Sequence, residues 1–354
     1  MPRVHAPETP EPGRYLIRNG IARLTPGGIA RYPRHGNVVN VSTLTDELEP
    51  GGDPVQGSPG VPLAELARQH GLRPTAARPG MAGYAAQLWQ RRHFIMGFAT
   101  ARNVAMYTEA RLGQLWQVLT PLLNAAVYYL IFGEILGTRR GVDNFPAFLI
   151  TGIFVWNFTQ RSFITCSRVM PDSLPLIRAL PFPRACLPIG YVLIELQQLA
   201  ISMAILIAIV LGTGEPLTWY WLLAIPALAL QAVFNTGMGL FLARLGAGAD
   251  DFGQLMPFLV RTWMYASGVM FSIQTIGTLQ HRPAVQYVLQ ANPAAVYISL
   301  VRNAVMSSQR AAWSHYHGAM SANSLWLWGI GWAVAALAIG YVFFWQAETR
   351  YGRG

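Results

Sequence analysis

Residues 219–243 form a full helix length without one charged side chain, and this run fixes the solvent in which the chain must fold. A hydrocarbon core about 30 Å thick is crossed by roughly 20 helical residues rising about 1.5 Å each. Comparable runs occupy residues 115–135, 145–163, 187–211, 252–273 and 324–345, so six crossings are expected. With 53% hydrophobic and only 12% charged residues, water cannot be the main solvent of this chain. The expected fold class is therefore an all-α integral membrane protein with six transmembrane helices.

What surrounds the spans sets the organisation. Residues 1–82 are rich in Pro, Gly and Arg, with apolar scraps at residues 15–17 and 38–41 but no sustained period, and read as a largely flexible cytoplasmic extension. In residues 83–111, Tyr84, Leu88, Ile95, Ala99 and Met106 recur at helical spacing, with Gln87, Arg91, Arg102 and Asn103 between them. This is the pattern of an amphipathic helix lying on the membrane surface. The six-helix membrane domain then takes residues 112–347, and residues 348–354 form a short tail. Arg91, Arg92, Arg102, Arg111, Arg168, Arg178, Arg184, Arg244, Arg350 and Arg353 fall on one side of the six crossings, against Arg139, Arg140, Arg282, Arg302 and Arg310 on the other. Positive charge favours the cytoplasmic side, which places both termini there and the protein in the plasma membrane. The first residues, MPRVHAPETP, offer no apolar signal core, so insertion is expected to rely on the internal spans.

Residues 283–306 are apolar but too short for two crossings and are interrupted at Asn292 and Pro293, which suggests two short re-entrant helices before the last span. Charge inside a span is costly, about 3 kcal/mol for an Arg at a helix centre, so Arg161, Glu195 and Arg261 are functional candidates. Aromatic rings are dense, and Trp116, Tyr128, Trp156 and Tyr265 are candidates to line a conduit with Arg161 and Arg261. Asn157, Thr159 and Gln160 in the second span and Gln231, Asn235 and Thr236 in the fourth suit either a wet path for a hydroxyl-rich solute or hydrogen bonds between helices.

All 26 basic residues are arginine, and the absence of lysine excludes the phosphate-binding loop G-x-x-x-x-G-K-[ST]. No nucleotide-binding loop, cofactor or metal is therefore expected in this chain. A net charge of +10 spread along loops beside apolar runs fits membrane topology, not nucleic acid. Cys166 and Cys186 form no ligand cluster and read as buried small hydrophobes. The one enzyme-like feature is Asp250 with Asp251, which could hold Mg²⁺ in a membrane sugar-phosphate transferase, although other cytoplasmic loops add little acidic charge beyond Asp172.

Three segments in this order carry a family likeness: residues 111–123 (RLGQLWQVLTPLL), residues 176–188 (LIRALPFPRACLP), and Asn292-Pro293 followed by Arg302. Over roughly 250 residues the chain resembles the permeases of ABC exporters for O-antigen, teichoic acid, galactan and related polysaccharides. The resemblance implies a homodimer joined to two copies of an ABC ATPase, with no catalytic residue in this chain and a lipid-linked polysaccharide as substrate. It places a coupling helix at Ser173, Leu174, Leu176, Ile177, Arg178 and Leu180, where Leu174, Ile177 and Leu180 share a helical face. It also implies an extracytoplasmic gate at Pro283, Asn292, Pro293 and Arg302. A permease exporting a drug or lipid remains the alternative within transport. Asp250-Asp251 stands where the family commonly has a basic-acidic pair, and the first 80 residues have no counterpart in the usual pattern.

Overall fold

The computed structural model describes strands at residues 14–17, 20–24, 29–31 and 39–40, and then residues 80–108, 112–113, 115–135, 144–180, 182–249, 251–273, 283–310 and 320–348. The chain divides into two units, residues 1–75 and 76–354. In the first, β1 (Arg14–Ile17), β2 (Gly20–Leu24), β3 (Ile29–Arg31) and β4 (Val39–Asn40) form one antiparallel sheet in the order β1-β2-β3-β4. Arg14 faces Arg23 across the first pair, and Ala30 faces Val39 across the last. Two of the apolar scraps noted in the sequence thus fall in β1 and β4.

The second unit is all-helical among its described residues. Its elements are α1 (Met81–Gln90), α2 (Arg92–Thr108), α3 (Leu115–Tyr128, continued by a π-wound end at Tyr129–Ile135), α4 (Phe145–Asp172), α5 (Leu174–Ala179) and α6 (Cys186–Gly212). A 3₁₀ turn at Trp219–Leu223 leads into α7 (Ala224–Gly248), followed by α8 (Phe252–Tyr265), α9 (Pro283–Ala291), α10 (Pro293–Val305) and α11 (Ala322–Ala347). Among the described residues, four stretches, Leu115–Ile135, Cys186–Gly212, Trp219–Gly248 and Ala322–Ala347, are long and apolar enough to cross a membrane.

Two expected spans differ in length. The second extends well past residue 163: α4 starts at a cap, Asn144 Oδ1 accepting from the Ala147 N–H at 3.3 Å, and runs for 28 residues to Asp172. The fifth stops early: α8 ends at Tyr265, and residues 266–273 are irregular, turning at Gly268 with φ +63°. Such a backbone exposes carbonyls that hydrocarbon cannot satisfy. The amphipathic stretch is likewise two helices, broken at Arg91, whose N–H is shared between the carbonyls of Gln87 and Leu88.

That break lets the two helices be anchored separately. On α2, Ile95 and Ala99 are buried against α6, where Gly190 leaves room for Phe98, while Met106 remains exposed. On α1, Tyr84 donates to Glu348 Oε2 at 2.7 Å and accepts from the Ala185 N–H at 3.2 Å, while Glu348 also receives the Arg184 N–H at 3.1 Å. Burial pushes the Glu348 carboxyl above the usual carboxylate range despite these donors. The surface helix is thus clasped to the end of α11 and the start of α6. At the other end of the bundle, burial opposes ionisation of Glu215, but donors from Ser307 and Ser308 outweigh it and hold the carboxyl below its ordinary pKa.

At the centre, α4 is buried along most of its first half and packs on α6, α7, α8 and α10. Beside it, α7 and α11 approach to backbone contact at Gly237 and Gly340, with Ala333 and Ala336 on the same seam. A Cβ on Gly340 would run into the Gly237 carbonyl, and one on Gly237 into the Ala336 backbone. Without a hydrophobic drive between helices in lipid, such close packing is what holds the pair. Gly340→Val is therefore expected to separate α7 from α11 and lower thermal stability by about 2 kcal/mol or more. Gly331→Val, which meets no neighbour, should leave melting in detergent unchanged.

Candidate functional site

Two polar constructions lie on different faces of α4. The first is a crevice between α2, α3, α4 and α6. The Asn103 Nδ2 donates to Gln197 Oε1 at 3.1 Å, Gln197 Nε2 to Thr100 Oγ1 at 3.1 Å, and Gln117 Nε2 to Asn103 Oδ1 at 3.5 Å. One residue along α6, Gln198 Oε1 accepts from Arg161 at 2.6 Å. Arg161 then lines a small pocket with Asn157, Glu195, Gln198 and Ser202. Glu195 is buried beside Arg161 but no ion pair joins them. At about 20 Å³ the pocket holds about one water.

The second construction closes the broken end of α8. Arg302, on α10 and 5% exposed, donates Nε to the Phe148 carbonyl at 3.1 Å, Nη1 to Gly268 at 2.8 Å and Nη2 to Val269 at 2.6 Å. The guanidinium also lies 3.4 Å from the Phe148 ring centre. Gly152 makes the slot: a Cβ there would strike the Arg302 side chain and the Val269 carbonyl. One cation thereby satisfies two carbonyls, of Gly268 and Val269, in the irregular segment after α8 and ties that segment to α4.

Asn292 completes this lock. Its Oδ1 caps α10 by accepting from the Ala294 N–H at 3.2 Å and also accepts from Trp263 Nε1 at 2.9 Å; its Nδ2 reaches the Ala266 carbonyl and Ser267 Oγ, both at 3.2 Å. Trp263 in turn meets Trp156 edge-on at 5.3 Å and stacks on Phe163 at 5.7 Å. Pro293 opens α10, where its missing N–H costs nothing.

The candidates chosen from sequence are thus distributed unequally. Trp156, Asn292, Pro293 and Arg302 come together around the end of α8. Pro283 begins α9. Trp156 is 1% exposed and donates to Gln160 Oε1 at 2.7 Å, so in this conformation its ring faces protein, not a conduit. Trp116, Arg261 and Tyr265 are exposed on α3 and α8, while Tyr128 is half-buried against Phe132. On α5, Leu176 and Ile177 pack inward on the cluster around Tyr84 and Val169; Ser173 is buried, Leu174 half-buried, and Arg178 and Leu180 are exposed. Asp250 lies outside the described residues, and Asp251 is an exposed residue just before α8. Cys166 and Cys186 are both buried free thiols, as expected of small hydrophobes. Sequence reading missed Trp263, Gly152 and the Gln197-Gln198 pair, the last of which was signalled by two adjacent amides inside an otherwise apolar run.

Residues 97–306 match the ABC-2 type transporter family, a region that begins in α2, ends just after α10, and includes both constructions. The chain is 26% identical over 207 residues to the O-antigen export system permease protein RfbA of Myxococcus xanthus, spanning 58% of this chain and 78% of that protein. It is 27% identical over 173 residues to RfbA of Klebsiella pneumoniae, spanning 48% and 65% respectively. With the polysialic acid transport protein KpsM of Escherichia coli it shares 26% identity over 210 residues, or 56% and 76% of the two chains.

The lock has a measurable consequence. Arg302→Met keeps the length but takes the donor from the Gly268 and Val269 carbonyls, at roughly 1–3 kcal/mol each. The variant is expected to insert yet melt well below the parent, and amide exchange around residues 266–273 should rise sharply. Unchanged exchange there would show that the guanidinium is not what orders the segment.

Proposed function

This chain belongs to the ABC-2 type transporter family, and from that premise we propose that it is the permease subunit of an exporter that moves a lipid-linked cell-surface polysaccharide across the plasma membrane. Its partners in this reading are a second copy of itself and two ABC ATPase subunits, which bind ATP and Mg²⁺. The six crossings are α3, α4, α6, α7, α8 with the segment after it, and α11, with both termini cytoplasmic.

The observation that carries the reading is the file of amides and hydroxyls from Thr100 and Asn103 through Gln197 and Gln198 to Arg161, set between a surface helix and three apolar spans. Hydrocarbon disfavours such groups unless a neighbouring helix, a polar solute or water satisfies them. A hydroxyl-rich polymer suits amides, and its anionic linkage to a lipid suits the guanidinium fork of Arg161. Because the crevice closes to the size of a water within one subunit, the passage forms between two copies. The exposed rings of Trp116 and Tyr265 and the cation of Arg261 are available to line it. A drug or lipid would not require this amide file.

Two measurements test the assignment. Arg161→Gln is expected to reduce surface polymer roughly tenfold or more, the equivalent of losing one charged hydrogen bond, with normal elution and assembly. Arg161→Lys should rescue only in part, since an ammonium lacks the planar fork. Normal export by Arg161→Gln would sink the role.

For coupling to the ATPase, the exposed end of α5 is the docking face, so Leu180→Asp is expected to preserve melting and insertion while abolishing export and nucleotide-dependent stimulation. Ile177→Asp should instead destabilise the subunit by burying a charge in the Tyr84 cluster. Export that survives Leu180→Asp would remove α5 from the coupling path.

A further inference from the structure

A groove of about 540 Å³ opens between α4, α7, α8 and α11, on the side of α4 away from the Arg161 crevice. Its wall includes Phe163, Met238, Leu245, Phe252, Trp263 and Ile339, and it is apolar throughout, since the Trp263 N–H is turned away to Asn292. Water does not fill such a space; an apolar cavity of about 150 Å³ already stays dry and takes up benzene. The present groove is more than three times that volume, which calls for an extended hydrocarbon.

Length and charge narrow the occupant. Along α7 the wall runs from Phe234 to Leu245, about 16 Å at about 1.5 Å per residue, roughly half of a hydrocarbon core of about 30 Å. That is the reach of a chain belonging to one leaflet. Two cations neighbour the Leu245–Phe252 end of the wall, Arg168 bonding the residue after Phe252 and Arg244 preceding Leu245. Arg168 donates Nε to the Gly253 carbonyl at 2.9 Å, and among the described residues its two terminal nitrogens meet no acceptor. Arg244 follows the Phe343 ring at 3.7 Å and donates to the Phe343 carbonyl, one turn beyond Ile339 on the same face of α11.

We propose that this groove binds one acyl chain of an anionic membrane phospholipid, its phosphate held at the mouth by Arg168 and Arg244. Two cations beside an apolar slot between helices complement an anionic headgroup above a hydrocarbon tail. The site is separate from the export path, and bound lipid fills the space that α4, α7, α8 and α11 leave between them.

The test uses the full chain, purified without any ATPase and placed in nanodiscs, so its outcome does not depend on export. Matched phosphatidylglycerol and phosphatidylcholine probes with a mid-chain diazirine are cross-linked and mapped by mass spectrometry. Labelling is expected to concentrate on Met238, Met256 and their neighbours, with phosphatidylglycerol strongly preferred. Arg168→Gln and Arg244→Gln should each cut the phosphatidylglycerol signal roughly fivefold and leave phosphatidylcholine unchanged. Ala335→Phe should abolish groove labelling by both probes; if that chain does not elute as folded, Met238→Trp fills the same space. Equal labelling by both probes, labelling spread evenly over other lipid-facing helices, displacement by equimolar isoprenoid phosphate, or cross-links to a second copy would each overturn the proposal.

Discussion

A chain that breaks a helix at membrane depth must answer for every carbonyl it leaves open, because hydrocarbon offers no donor. Here the break follows Tyr265, and Arg302 supplies the donors from another element. Three nitrogens of one planar group reach three carbonyls on two segments, which an ammonium on a flexible stem cannot reproduce with the same geometry. Gly152 on α4 must lack a side chain for the guanidinium to pass, and Asn292 must turn the chain between α9 and α10 for Arg302 to arrive. The positions of α4, α8 and α10 are therefore set jointly, and the aromatic chain from Asn292 through Trp263 to Trp156 extends that constraint into the core.

Much of this architecture was legible because hydropathy and helix length are linked by the thickness of the bilayer. The run at residues 115–135 coincides with Leu115–Ile135, and the runs at 187–211 and 324–345 fall within one to two residues of α6 and α11. The misreadings have a common physical origin: hydropathy records what surrounds a helix, not what the backbone does. It ended the second span near residue 163, because Arg161 and Arg168 interrupt the apolar run, although the α-helix continues to Asp172. It carried the fifth span to residue 273, because Val269, Met270 and Phe271 remain apolar after the backbone has left the helix at Gly268.

Site residues were harder to place, since residue type does not state which face of a helix is turned inward. Trp156 was grouped with Trp116 and Tyr265 as a ring suited to sugar, yet it stands on the α8 side of α4 and is enclosed there. The stripe Leu174, Ile177 and Leu180 was legible as an apolar face, but Ile177 spends its surface on the Tyr84 cluster, which leaves Leu180 as the outward apolar contact. The first span illustrates the converse: Gln117 stands among apolar neighbours in the sequence, and only the approach of α2 makes it part of a polar file.

The arginines show how chemically identical side chains acquire different work. A guanidinium has five N–H donors, and what matters is how many the fold consumes. Arg302 spends all three nitrogens on backbone carbonyls and is almost fully buried, so it has little capacity for a ligand and holds structure. Arg161 gives one nitrogen to Gln198, keeps the others toward a pocket that also holds a carboxylate and amides, and so retains capacity for an incoming anion. Arg168 stands between these cases, its Nε fixed on the Gly253 carbonyl while, among the described residues, its terminal nitrogens meet no acceptor. In a chain without lysine these assignments cannot be read from charge alone; they follow from the acceptors that each helix brings within reach.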